Sequence, residues 1–254
     1  MIIMEIFGPL LISTIAGLST VLGGLIVYLK IKKVEEFITF CLSFSLSVMI
    51  MLSIIELIPD SSFVITQNYG YLLGFIILIT VFLIGMVLVN LINKRIDKVK
   101  SSSSNKDLYR VGVLSMIALM LHNFPEGIAT FMSAYKNIYL GINLGLAIMM
   151  HNIPEGISIS VPIYYSTGSK KKGVVYSLIS GLAEPLGAIL TFILFKNFIN
   201  DITLSIVLIL VAGIMITLSI NKLLPEALKY NKKKNMIMGL LLGVIVVCIN
   251  HFLF

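Results

Sequence analysis

The sequence predicts an all-α polytopic membrane protein. We expect one transmembrane domain over residues 1–254, with eight helices in a 3+2+3 inverted-repeat bundle and both termini outside. Three observations predict this class. First, 58% of the 254 residues are hydrophobic and only 12% are charged, with a mean hydropathy of +1.03, whereas a soluble domain is about half apolar and a quarter charged. Second, apolar segments of about 20 residues, enough to cross a bilayer, recur at 6–29, 37–58, 71–92, 108–133, 138–164, 173–195, 202–224 and 236–254. Third, that count places 17 of the 19 basic residues in alternate loops, on one side of the bilayer, and leaves only Lys136 and Lys196 on the other. Basic residues collect on the cytoplasmic side, so the termini fall outside. One missed or extra span would scramble the asymmetry.

The segments justify themselves in order. Met1 to Glu5 carries no basic n-region, so the first segment is expected to remain as a span. The second closes on Glu56-Leu57-Ile58-Pro59-Asp60. The third leads into the longest loop, 93–107, on the inner side; its serines 101–104 make a flexible polar linker, and it holds no histidine. The fourth and fifth carry His122-Asn123-Phe124-Pro125-Glu126-Gly127 and His151-Asn152-Ile153-Pro154-Glu155-Gly156, joined by a short outer loop. The sixth contains Glu184-Pro185 as its sole acidic position. The seventh closes on Lys222-Leu223-Leu224-Pro225-Glu226, reading proline as a helix stop. The second and seventh spans run in opposite directions, as do the fourth and fifth, which suggests two inverted three-helix units around a central hairpin.

Composition also excludes classes. The net charge of +7 is explained by topology, so no nucleic-acid partner is expected; the partners are the lipid bilayer and small ions. Cys41 and Cys248 lie in apolar runs and form neither a CxxC motif nor a disulfide framework. No GxxxxGK[ST] phosphate loop and no HExxH motif occur, and no prosthetic group is implied.

The chemistry sits in the repeated phrase. His and Glu four residues apart share one helix face, and an ionised carboxylate in hydrocarbon is costly unless a cation or a water path faces it. At 1.5 Å per residue both motifs fall roughly 20 Å along their spans, and antiparallel packing brings them to a common depth. Imidazole, amide and carboxylate together suit Zn²⁺, Fe²⁺, Mn²⁺ and their neighbours. Pro125 and Pro154 are expected to kink their helices and free the carbonyls of Leu121 and Met150, while Gly127 and Gly156 allow close helix approach. Glu184 is expected to face the same site. Three midplane glutamates without an intramembrane Lys or Arg imply a cation as the missing charge. Glu56 and Asp60 are either interfacial charges or a metal entrance. Glu226 is either an exit ligand or a partner of Lys222 or Lys229. His251 reads as incidental.

These residues resemble the ZIP (Zrt/Irt-like) divalent-metal transporters, in the bacterial zinc-uptake branch. The likeness rests on HNFPEG, HNIPEG, the Gly-Leu-Ala-Glu of residues 181–184 and ELIPD, and runs through nearly the whole chain. It implies import of zinc, with iron, manganese, cobalt or cadmium as alternatives, across the bacterial inner (plasma) membrane by a multi-pass protein that is not an enzyme. It further implies a binuclear site with His122, Asn123 and Glu126 from the fourth span, His151, Asn152 and Glu155 from the fifth, and Glu184 completing or bridging the second position. Spans 1, 4, 5 and 6 would rock against 2, 3, 7 and 8. A homodimer is compatible with such a bundle. Glu56 stands where many relatives have histidine, and Asn152 where some have aspartate; both departures point to broad metal specificity. The competing class is an integral-membrane metal-dependent hydrolase using the same buried ligands, which would need an open coordination position and a base.

Overall fold

The computed structural model describes residues 2–97 and 104–253, with side chains described over 6–91, at 109, 112 and 113, and over 115–252. Every regular element among the described residues is helical. In chain order they are α1 (Ile2–Gly24) with a 3₁₀ turn to Tyr28, α2 (Val34–Leu52), α3 (Ile58–Tyr69), α4 (Tyr71–Asp97), α5 (Ser104–Lys136) and α6 (Ile138–Thr167). There follow α7 (Lys170–Gly181), α8 (Ala183–Phe195) with a 3₁₀ turn, α9 (Asp201–Leu218), α10 (Leu224–Lys229) and α11 (Lys233–Leu253). Of the expected polar linker over 93–107, residues 93–97 and 104–107 are helical, and 98–103 lie outside the described residues.

Among the described residues, six rods are long and apolar enough to cross a membrane: Ile6–Tyr28, Val34–Tyr69, Tyr71–Leu91, Lys170–Phe198, Asp201–Lys229 and Lys233–Phe252. α5 and α6 carry the paired polar motifs. Burial orders the layers. The apolar windows of Val34–Tyr69 and Asp201–Lys229 are 67% and 61% buried, against 17% and 22% for Tyr71–Leu91 and Lys233–Phe252, so the last two form the outer wall. Their exposed side chains, Leu72, Phe75 and Leu241 among them, suit hydrocarbon. α5 and α6 pack on one another and are flanked by α1, α2, α7, α8 and α9.

Two expected helix ends are corrected. Pro59 and Pro225 do not stop their helices. A π-helical turn, Ser53–Leu57 before one and Ser219–Leu223 before the other, carries the chain on, and each proline sits in the first turn of the next segment. The widened π turn relieves the clash of the proline ring with the preceding carbonyls, so the helix continues. The rods therefore continue to Tyr69 and Lys229. Gly70, the one residue between α3 and α4, takes φ +76°, a conformation that disfavours any side chain. The sixth segment is interrupted at Leu182, three residues before Pro185.

The close contacts come in matched sets. A methyl built on Gly127 would lie 2.0 Å from the Glu184 carbonyl oxygen, and one on Gly156 would lie 1.9 Å from that of Thr20. Gly187 meets the Phe124 carbonyl as Gly23 meets that of Ile153, and Gly17 and Gly181 each meet the other's carbonyl. The Ser13 hydroxyl donates to the Gly127 carbonyl at 3.2 Å, and Ser177 donates to that of Gly156 at 3.0 Å. In each set the α1 residue and its α7 or α8 counterpart differ by 164 in number, and the α5 and α6 residues by 29. The long rods show the same reciprocity: Ser53 Oγ lies 3.8 Å from Met215 Sδ, and Ser219 Oγ lies 3.6 Å from Met49 Sδ.

Backbone-to-backbone contact of this kind leaves no room for a side chain. Gly156→Ala and Gly127→Ala are expected to cost about 1–3 kcal/mol or more by overpacking, read as a lowered unfolding midpoint in detergent. Gly8→Ala, which would meet only the flexible Ile138 Cδ1 at 3.2 Å, should leave the midpoint nearly unchanged.

Candidate metal centre

Asn137 is the one residue between α5 and α6. Its side chain accepts from the Tyr139 N–H at 2.9 Å and caps α6. His122 stands fifteen residues before it and His151 fourteen after it, so the hairpin sets the two motifs at one level. Within each motif the i,i+4 spacing stacks histidine and glutamate on one face. Both helices run on through Pro125 and Pro154 without interruption. The hydroxyl bonds made in this stretch fall beside the expected carbonyl: Ser19 donates to Met149 at 3.1 Å and Ser45 to His151 at 3.4 Å.

The two histidines and three glutamates are 0–1% exposed. One oxygen of Glu126 lies 3.1 Å from Nε2 of His122 and 3.1 Å from Nε2 of His151. Nδ1 of His151 is 3.1 Å from the Ala147 carbonyl. That contact assigns the proton to Nδ1, because a carbonyl only accepts, and turns the Nε2 lone pair toward the glutamates. A lone pair facing a carboxylate oxygen at this distance needs a proton or a cation between them. The second carboxylate, Glu155, completes a group: ligand atoms of His122, His151 and Glu155 all lie within 4.8 Å of one another.

Beside this group, the Asn152 amide donates to both the Ala16 carbonyl, at 3.0 Å, and the Glu184 carboxylate. Glu184 is thereby held next to the α5–α6 pair from the first turn of α8. The Asn123 amide points toward the Ser180 carbonyl at 3.5 Å. Among the described residues, both oxygens of Glu155, one each of Glu126 and Glu184, the side-chain oxygens of Asn123 and Asn152, and Nδ1 of His122 are buried without a hydrogen-bond partner. Buried polar atoms are ordinarily paired, at a cost of about 1–3 kcal/mol each when they are not. The set is rich in lone pairs and poor in donors, which is the chemistry of a cation site.

Two cavities flank the centre along the same helices. One, about 130 Å³, is lined by Glu56, Asp60, Ser133, Asn143 and Asp201. The other, about 40 Å³, is lined by Ser115, Ser158, Lys222 and Glu226, among others. Glu226 is ion-paired with Lys229, one of the two partners expected for it. Two residues carry more than the sequence suggested. Nδ1 of His251 lies 3.7 Å from Glu56 Oε1, so this histidine stands beside a carboxylate that lines the wider cavity. Lys222 lines the narrower cavity together with Glu226. Lys222 opens the phrase that closes the seventh span, whereas the only signal for His251 was its being the one histidine outside the repeats.

Fold and site together define a helical membrane protein with a buried histidine–carboxylate centre suited to a divalent cation. Residues 100–251 match the family model described as ZIP Zinc transporter. Over 270 residues the chain is 39% identical to the zinc transporter ZupT of Clostridium perfringens, covering 96% of this chain and 95% of that one. It is 38% identical to ZupT of Streptococcus mutans, with 98% of both chains covered, and 39% identical to ZupT of Chlorobaculum parvum, with 96% of both covered. The chain belongs to the ZIP zinc transporter family, which consists of transporters rather than enzymes.

In a metal titration of the purified protein, Glu155→Ala and His151→Ala should each weaken Zn²⁺ binding by more than about 100-fold, beyond the loss typical of a residue that only supports a ligand. Glu226→Ala, removed from the cluster, should bind as the unaltered protein does.

Proposed function

We propose that this protein carries Zn²⁺, and with lower selectivity Fe²⁺, Mn²⁺, Co²⁺ or Cd²⁺, across a bacterial plasma membrane into the cytoplasm. The observation that carries the reading is the convergence of His122, His151 and Glu155 ligand atoms within 4.8 Å. Glu126 lies against both histidines, and a cavity opens toward each end of the same helices. The relatives named as zinc transporters support the choice of ion.

His122, Glu126, His151 and Glu155 make the primary position in this reading. Asn123, Asn152 and Glu184 make a second, adjoining one, supported by their unpartnered oxygens. Glu56 and Asp60 collect the ion at the outer mouth, and Glu226 receives it at the inner one. Neutral imidazole and ionised carboxylate bind metal while their protonated forms do not, so metal and protons compete for the same lone pairs. Affinity is therefore highest with every ligand deprotonated, and falls as the pH drops.

We also propose that α5 and α6 cross the membrane with the six apolar rods, giving eight spans in a 3+2+3 inverted arrangement with both termini outside. The 17-to-2 distribution of basic residues supports the orientation. The matched contacts between α1 and α7–α8, between α5 and α6, and between the Val34–Tyr69 and Asp201–Lys229 rods support the inverted pairing.

Uptake of radioactive zinc by cells tests the assignment. Glu126→Ala and Glu155→Ala should abolish uptake at unchanged membrane abundance, and a wild-type rate in either would overturn the site. Glu56→Gln should raise the KM while leaving the maximal rate nearly unchanged, since it acts on capture. Zinc affinity of the purified protein should decline as pH falls through about 6.5, the ordinary imidazole value.

A further inference from the structure

A separate cavity of about 390 Å³ lies where the inner ends of α1, α6 and α7 meet the 1–2 connection. It is lined by Leu29, Lys30, Lys32, Tyr164, Tyr165 and Lys170, among others. Its polar character differs from that of the metal path: it presents cations, and none of the buried carboxylates reaches it.

Lys170 is the element that makes this a formed site. It opens the Lys170-Lys171-Lys172 run, yet it alone is drawn in. Its ammonium lies 5.2 Å from the Tyr28 ring centroid and 6.0 Å from that of Tyr164. Aromatic faces hold a cation without neutralising it. Among the described residues Lys30, Lys32 and Lys170 form no ion pair, whereas nearby Lys33 is paired with Glu36 and Lys232 with Glu35. Three uncompensated ammonium groups round one cavity call for an anion. Beside them Tyr28, Leu29 and Tyr165 are more than half exposed. Tyrosines of this kind mark the headgroup level of a bilayer, and the leucine continues into apolar helix surface.

We infer that this cavity binds the phosphate headgroup of an anionic phospholipid of the inner leaflet. Lys30, Lys32 and Lys170 take the phosphate, and Tyr28, Leu29 and Tyr165 lie against the glycerol and upper acyl chain. The inference rests on the orientation proposed above, which puts these residues at the cytoplasmic surface. Charge and shape agree on this occupant: a headgroup anion attached to an apolar tail meets both halves of the surface, and a free anion meets one.

Native mass spectrometry of the full chain, taken from nanodiscs of phosphatidylcholine with or without phosphatidylglycerol, tests this without metal or transport. A failed zinc assignment would therefore leave the result intact. Phosphatidylglycerol should be retained selectively, and Lys170→Gln should weaken retention about fivefold, the share of one lysine near an anionic surface. Lys171→Gln should have no effect. Equal retention by Lys170→Gln and the unaltered protein would overturn the inference. So would an equal rise in unfolding midpoint on adding inorganic phosphate or glycerol phosphate in place of the lipid. Should Lys170→Gln fail to fold, Lys30→Gln with Lys32→Gln, both on the exposed connection, carries the same expectation.

Discussion

Three carboxylates that have left water govern this molecule. Glu126, Glu155 and Glu184 are fully buried inside a bundle whose outer helices are strongly apolar. A charge placed there unaided costs at least a few kcal/mol, comparable to much of a domain's net stability of about 5–15 kcal/mol. The two histidines and the Asn152 amide are the polar partners that face them there. The same requirement explains the layering. α5 and α6 carry the polar motifs and are the two long rods least suited to lipid, and they are the ones enclosed by neighbours. Helices with little to hide, Tyr71–Leu91 and Lys233–Phe252, face outward.

Enclosure in turn demands close approach, and glycine supplies it. Gly127 and Gly156 end the two motifs, and each admits a carbonyl from a flanking helix into the space a side chain would take. One of those carbonyls belongs to Glu184 itself, so the residue whose carboxylate joins the centre is positioned by the motif glycine of α5. Site and packing are the same set of residues viewed from two sides.

Much of this was legible beforehand. The two His–Glu pairs could be placed at equal depth by counting residues, because α-helical rise is constant and the connection is short. The class of protein followed from hydropathy and charge, which act on long segments and average out local error. Proline was the misleading signal. Pro59 and Pro225 read as helix ends, yet a π turn before each absorbs the disruption, and such turns leave no trace in hydrophobic periodicity. His251 was missed for a different reason: its partner Glu56 is 195 residues away in the chain, and only the packing of the Val34–Tyr69 rod against α11 brings them together.

The single-residue turn at Asn137 has a consequence of its own. Each residue added to a helix advances it by about 100° around its axis, so one inserted residue on either side of the turn would swing one motif away from the other. The hairpin therefore works as a ruler with no slack. Connections that do not set the phase of the two motifs are free of this constraint. At this junction Asn137 supplies the cap of α6, and the length of the turn keeps His122 and His151 facing each other.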